Sequence, residues 1–263
     1  MGIYDEKLQF ACDVARRGGQ LALGYFNDLG SLTVKSKGVQ DMASEADVNT
    51  EALIREAIAT RCPDDAFLGE ESNESFVPDA DKGTWIVDPI DGTQPFINGI
   101  RSWCISIAYF DKNKLRVGVV YDPTSDELFA ASAGGGATLN GRPLSASTAV
   151  SLADGLVCVG YSNRVTPEDT LGPLERIMRA NGMYHRNGSG ALSLAYVAAG
   201  RLIGYFEPHM NSWDFAAGVL LVNEAGGRSN DCLPDQKAMV KGGPVVAAAD
   251  KVFDELARVV GET

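Results

Sequence analysis

Apolar residues recur with helical spacing at the start of this chain, with strand spacing in its middle, and in alternating blocks of the two toward its end. Across residues 5–26, Leu8, Ala11, Ala15, Ala22 and Tyr25 mark one amphipathic helix, because positions three or four apart share a helix face. Gly18-Gly19 interrupts that pattern and suits close packing. Residues 32–43 are polar and contain glycine, which fits a hairpin or a mobile loop. A second helix starts near Asp47 and continues through Val48, Leu53, Ile54, Ala57 and Ile58. Pro63-Asp64-Asp65 then turns the chain into a short strand at 66–68, which stops at Gly69-Glu70-Glu71-Ser72. After a polar loop over 73–83, a strand at 85–87 runs straight into Asp88. Segments 103–110, 115–121 and 127–131 read as antiparallel strands. Their connections at 111–114 and Asp122-Pro123, and the later Gly134-Gly135-Gly136 and Asn140-Gly141, read as turns.

The second half alternates strand and helix. Strands are predicted at 156–159, 183–186, 202–206 and 244–248, and helices at 167–181, 190–199, 213–225 and 250–260. This order predicts an α/β arrangement. The least patterned stretch, 143–152, marks a seam between an N-terminal α+β lobe (1–147) and a C-terminal α/β lobe (148–263). The 263 residues suffice for one large domain or two tightly joined lobes.

Composition narrows the classes. With 45% hydrophobic and 22% charged residues the chain reads as soluble and globular. No apolar run approaches the roughly 20 residues of a membrane span, and residues 1–10 lack the basic-then-apolar order of a signal peptide. A cytoplasmic protein without a membrane partner is expected. The five cysteines are odd in number and never spaced as CxxC, so free thiols are expected rather than disulfides or a zinc site. The net charge of −12 and the absence of a basic run exclude a nucleic-acid polymer as partner. An acidic protein that handles an anion needs local cations.

Candidate chemistry concentrates where strands end, the place α/β proteins put ligands. In Asp88-Pro89-Ile90-Asp91-Gly92-Thr93, two carboxylates three residues apart precede a Gly-Thr pair where the chain can enter a helix. Pro89 favours an extended Asp88. Such carboxylates, next to free backbone N–H groups, can hold Mg²⁺ and a phosphate together; a helix cap and a turn explain the same residues equally well. Glu70-Glu71 follows the strand at 66–68 and is a solvated pair or a further ligand with a hydrogen-bonding neighbour. Asp214 opens the helix over 213–225, as a dipole partner or a distant ligand. Asp41, Asp47 and Thr93 allow a hydroxyl held by a carboxylate to position water without histidine. The only histidines, His185 and His209, lie in no motif. Gly188-Ser189-Gly190 is a small-residue helix start that suits substrate oxygens or simple packing.

In order, Asp41-Met42-Ala43-Ser44-Glu45-Ala46-Asp47, Gly69-Glu70-Glu71-Ser72, Asp88-Pro89-Ile90-Asp91-Gly92-Thr93, Trp213-Asp214 and Glu224-Ala225-Gly226-Gly227 resemble the inositol monophosphatase family across nearly the whole chain. The resemblance implies a layered αβαβα sandwich, a homodimer, and Mg²⁺-dependent hydrolysis of a small phosphorylated metabolite with two or three ions. It implies Glu70, Asp88 and the Ile90 carbonyl as ligands of one ion, Asp88, Asp91 and Asp214 as ligands of a second, and Glu70 as a helper for a third. Asp47, Glu70 and Thr93 would carry the chemistry, with Thr93 and Asp47 orienting the attacking water. Asp91, Gly92, Thr93, Ser189, Gly190 and Glu207 would face substrate, Glu207 by contacting a hydroxyl; the bland alternative for Glu207 is a surface turn before Pro208. Many members carry Thr-Asn-Phe or Asn-Asn-Phe after the threonine, where this chain has Gln94-Pro95-Phe96, so the departure concerns the substrate. Inositol-1-phosphate is the leading substrate. Histidinol phosphate, fructose-1,6-bisphosphate and 3′-phosphoadenosine nucleotides are rivals, and an inactive regulatory homologue is the rival outside enzymes.

Overall fold

Two β-sheets organise the chain, and each has two apolar faces because its strands alternate between two different cores. The computed structural model describes residues 3–38, 41–235 and 237–261, with the side chains of Ile3, Ser31, 35–38, 41–43 and Ser75 excepted, so the side chains of Asp41 and of Lys35, a basic candidate for holding a second phosphate, lie outside the described residues. Helix α1 (Ile3–Phe26) is followed by the hairpin β1 (Val34–Gly38) and β2 (Asp41–Ser44), α2 (Glu45–Arg61), β3 (Ala66–Gly69), β4 (Thr84–Asp91) and the short α3 (Thr93–Ile97). Strands β5 (Cys104–Asp111), β6 (Lys114–Asp122), β7 (Glu127–Ser132), β8 (Gly136–Leu139) and β9 (Arg142–Pro143) complete a seven-stranded sheet in sequence order. Then come β10 (Leu156–Val159), α4 (Pro167–Arg179), β11 (Met183–His185), α5 (Gly190–Ala198), β12 (Gly204–Met210), α6 (Ser212–Glu224), β13 (Gly227–Ser229), α7 (Ala238–Lys241), β14 (Gly243–Ala249) and α8 (Asp250–Val260). The second sheet has the order β11-β10-β12-β14-β13.

Alternation along each strand builds the layers. On β5, Ile105, Ile107 and Tyr109 join the core under α1 and α2, whereas Cys104, Ala108 and Phe110 face the central core. On β12 and β14, Tyr205, Val245 and Ala247 face that same central core, while Phe206, Val246 and Ala248 pack beneath α4 and α8. Helices α5 and α6 lie between the sheets, giving the expected αβαβα sandwich. Both are apolar all round, as a helix buried on every side must be. Glycines let them approach closely. A Cβ on Gly218 of α6 would overlap Leu194 of α5, and one on Gly118 of β6 would lie 2.7 Å from the Ala217 carbonyl oxygen. Gly18-Gly19 serves the same purpose without breaking α1: a Cβ on Gly19 would lie 2.6 Å from the Tyr121 ring.

Most boundaries fall within a few residues of expectation. The strand predicted at 202–206 instead runs from Gly204 to Met210. Pro208 masks it: lacking an N–H, it cannot continue the ladder, and the β12–β14 register shifts between Glu207 and Met210. The hairpin alternative holds for β1 and β2. Strand β13 and helix α7 are too short to leave a periodic signal. All five cysteines are free.

Because α6 meets β6 backbone to backbone, Gly118→Ala should cost about 1–3 kcal/mol of overpacking and lower Tm by several degrees in calorimetry. Gly24→Ala, in α1 with nothing within 4 Å of the added methyl, should be neutral or stabilise by up to about 1 kcal/mol.

Candidate active site

The site begins where β4 leaves its ladder. Pairing with β5 shifts between Asp88 and Asp91, as Pro89 requires. Asp88 Oδ1 accepts the Ile90 N–H at 2.9 Å, which folds the strand end so that both carboxylates face the same side. Asp91 is held from the opposite layer. Its Oδ2 accepts the Ala191 N–H of α5 at 2.7 Å and the Ser189 hydroxyl. Ser189 in turn caps α5 by accepting the Leu192 N–H at 3.2 Å. Gly92 then turns at φ 98°, where a Cβ would also lie 2.7 Å from the Ser102 carbonyl oxygen, and Thr93 opens α3.

Asp47 enters from below. Ser44 and Asp47 form a capping box on α2: Asp47 Oδ2 accepts the Ser44 N–H at 2.8 Å and hydroxyl at 2.6 Å. That leaves Oδ1 facing Thr93 Oγ1 at 3.2 Å; the same hydroxyl lies 3.2 Å from the Ile90 carbonyl oxygen. Asp214 sits at the third position of α6, where its Oδ2 accepts the Asn211 N–H at 2.9 Å. Ser106 of β5 anchors the start of that helix through the Trp213 carbonyl, 3.0 Å away.

Two chain segments, the end of β4 and the start of α6, thus bring carboxylate oxygens of Asp88, Asp91 and Asp214 within 4.8 Å of one another. Glu70 faces the same cleft, of about 140 Å³, and its charge helps to push Asp88 up. Ile90, Gly92, Thr93, Ser189, Gly190 and Glu207 also line it, whereas Asp47 is buried behind Thr93. Glu207 does not occupy a surface turn. It sits within β12, receives a hydrogen bond from the Tyr205 hydroxyl, and its β10-side neighbour Gly160 has no room for a Cβ beside it.

Burial dominates the electrostatics. It pushes Asp47 up to about 6, Glu207 to about 7 and Asp214 to about 8. Burial and the charges of Glu70, Asp91 and Asp214 raise Asp88 well above the ordinary carboxylate range. Asp91 is raised by burial despite the hydrogen bonds it accepts. Among the described residues, no lysine or arginine forms an ion pair with Asp88, Asp91 or Asp214. Like charges this close and this buried need a cation or protons. The donors are all oxygen, which fits a hard divalent metal ion.

Motif spacing singled out the carboxylates but missed two supporting groups. Ser44 was readable as the first residue of a Ser-x-x-Asp capping box; Tyr205, an apolar-pattern strand residue, gave no signal.

An all-oxygen carboxylate cluster set between the end of β4 and the start of α6 defines a candidate divalent-metal site. The inositol monophosphatase family model matches residues 4–262. The inositol-1-monophosphatase of Rhizobium meliloti (strain 1021) is 38% identical over 242 residues, covering 89% of this chain and 88% of its own. The Nus factor SuhB of Escherichia coli (strain K12) is 37% identical over 247 residues, covering 93% and 92%. The crystal structure of the extragenic suppressor protein suhB of Bartonella henselae superposes with a TM-score of 0.88 at 33% identity, over 97% of this chain and 98% of that one. The inositol monophosphatase of Anabaena (Nostoc) sp. PCC 7120 gives 0.84 at 32% identity, over 98% and 96%. The chain belongs to the inositol monophosphatase family, and with it to the phosphoric monoester hydrolases.

The raised carboxylates make a stability prediction. Asp214 titrates near 8 in the fold and near 3.9 when unfolded, so the metal-free fold loses stability as pH rises from about 4 to about 8. Asp214→Asn keeps the shape and the helix cap but removes that charge. In EDTA the variant should match wild type near pH 4 and melt several degrees higher at pH 8. Added divalent cation should raise the wild-type Tm more than that of the variant.

Proposed function

We propose that this chain is a Mg²⁺-dependent phosphomonoesterase acting on a small polyol or sugar phosphate, with inositol-1-phosphate as the leading substrate. The carrying observation is the convergence of Asp88, Asp91 and Asp214 beside the Thr93–Asp47 contact. Glu70, Asp88 and the Ile90 carbonyl would hold one ion, and Asp88, Asp91 and Asp214 a second, with Glu70 assisting a weaker third. Bound Mg²⁺ supplies positive charge that offsets the carboxylates, polarises the phosphate and activates water.

The chain's own groups position the reaction. Thr93 Oγ1 accepts a proton from water in the cleft and passes its own to Asp47 Oδ1. An Asp47 carboxyl titrating near 6 suits that role at neutral pH better than an ordinary surface aspartate. The Gly92 and Thr93 N–H groups, at the start of α3 and without intrahelical partners, meet phosphate oxygens. Ser189 and Gly190 line the opposite wall, where they hold Asp91 and come near substrate oxygens. Glu207 Oε2 is taken by Tyr205, so Oε1 remains to accept a hydrogen bond from a hydroxyl of the leaving alcohol. The reading includes a cytoplasmic homodimer whose lobes, 1–147 and 148–263, share this cleft.

One observation favours a second reading. Several relatives at 36–37% identity carry the name Nus factor SuhB, which fits a regulatory role outside catalysis. Against an inactive homologue, Glu70, Asp88, Asp91, Thr93 and Asp214 are all present. Mg²⁺-dependent turnover of a generic phosphate ester separates the two readings. A panel of inositol-1-phosphate, histidinol phosphate, fructose-1,6-bisphosphate and 3′-phosphoadenosine substrates ranks the substrates.

Thr93→Ala should lower kcat by roughly 10²-fold or more with a smaller change in KM. If kcat holds and only KM rises, Thr93 merely binds phosphate. Glu207→Gln should lower kcat/KM for inositol-1-phosphate while sparing p-nitrophenyl phosphate, because a site built around a substrate hydroxyl discriminates against analogues lacking one. Equal losses on both would remove Glu207 from substrate recognition.

A further inference from the structure

One turn beyond Asp47 on α2, a second carboxylate is buried: Glu51 is 3% exposed. Residues four apart share a helix face, yet these two reach different walls of the cleft. Asp47 goes to Thr93. Glu51 crosses to the end of β3, where Oε2 accepts the Glu71 N–H at 2.7 Å and a hydrogen bond arrives from the Ser72 side chain. The crossing needs Gly69, because a Cβ there would overlap Glu51 Oε2.

The place Glu51 reaches is where regular structure runs out. Parallel pairing of β3 with β4 ends at Gly69 opposite Val87. Beyond it, the Glu70 N–H still reaches the Val87 carbonyl at 3.1 Å, and the Glu70 carbonyl accepts Asn73 Nδ2 at 2.5 Å. The next N–H, that of Glu71, has no strand to pair with and goes to Glu51. The backbone is therefore pinned on both sides of the Glu70 side chain. A buried carboxylate is costly unless its hydrogen bonds are made, and an apolar residue would fill the α2 interior at lower cost, so the turn is what the carboxylate serves.

We propose that Glu51 is a positioning residue for the cation site: it fixes the turn that aims Glu70 at Asp88 and ties that wall through α2 to the Thr93–Asp47 pair. This rests on the proposed role of Glu70 as a metal ligand. It predicts that Glu51 sets cation affinity without touching the cation.

The test is Mg²⁺ binding to the full chain by isothermal titration calorimetry, together with the Mg²⁺-induced rise in Tm and with kcat and KM for inositol-1-phosphate. Glu51→Ala should weaken Mg²⁺ binding about 10–100-fold, the usual loss when a group behind a ligand is removed. Its kcat should recover at saturating Mg²⁺. Glu51→Gln retains an acceptor for the Glu71 N–H and should stay near wild type in affinity. Gly69→Ala leaves Glu51 in the sequence but displaces it, and should reproduce the Glu51→Ala loss. A folded Glu51→Ala or Gly69→Ala protein with wild-type Mg²⁺ affinity overturns the proposal, as does a Gln variant as weak as the Ala variant. If neither Glu51→Ala nor Gly69→Ala folds, Glu51 supports the fold and the proposal is again overturned. A wild-type chain that neither binds Mg²⁺ nor gains Tm overturns the metal reading itself.

Discussion

Mutual repulsion among Asp88, Asp91 and Asp214 is the constraint on which the rest of the molecule turns. Three carboxylates with oxygens inside 4.8 Å would separate if their backbones were free to move. Each is fixed by a backbone N–H bond: Ile90 for Asp88 within β4, Asn211 for Asp214 at the start of α6, and Ala191 of α5 for Asp91 from the neighbouring layer. Two of those donors belong to helix starts, whose partial positive charge favours anions. The helices are in turn set by close contacts among α5, α6 and β6 that only small residues permit. The layered core thus serves as a frame that keeps like charges together.

Around that frame the groups divide by how burial acts on them. Asp47, behind Thr93, is raised only to about 6 because two bonds from Ser44 favour its charged form. Asp214 is raised to about 8 with fewer such bonds and with Asp91 beside it. Similar carboxylates in one cleft are therefore unequal in basicity. The more ionised one lies against the hydroxyl, and the more strongly raised ones lie where a cation would restore their charge.

How much of this was legible varied with the distance over which the information acts. The run Asp88-Pro89-Ile90-Asp91-Gly92-Thr93 announces itself because its carboxylates, its interrupted ladder and its left-handed glycine are all local. Strand periodicity and the order of elements made the α/β arrangement legible, whereas the αβαβα layering came from the family resemblance. The proximity of Asp214 was not readable from spacing, since 123 residues separate it from Asp91; it follows from the packing of α6 on β6. Ser189 illustrates the opposite difficulty. A small-residue helix start suits many ligands, and only the fold shows that its hydroxyl is directed at Asp91. Glu51 gave no signal at all, because a glutamate in mid-helix ordinarily marks a solvated face.

Asp91 carries one consequence beyond chemistry. It belongs to the seven-stranded sheet, yet its side chain takes hydrogen bonds from the start of α5 in the layer between the sheets. The same oxygen that tunes the acidic cluster is therefore a rivet between layers. Any change in the charge on Asp91 alters the strength of that rivet, so the charge state of the cleft and the join between the seven-stranded sheet and α5 are energetically linked.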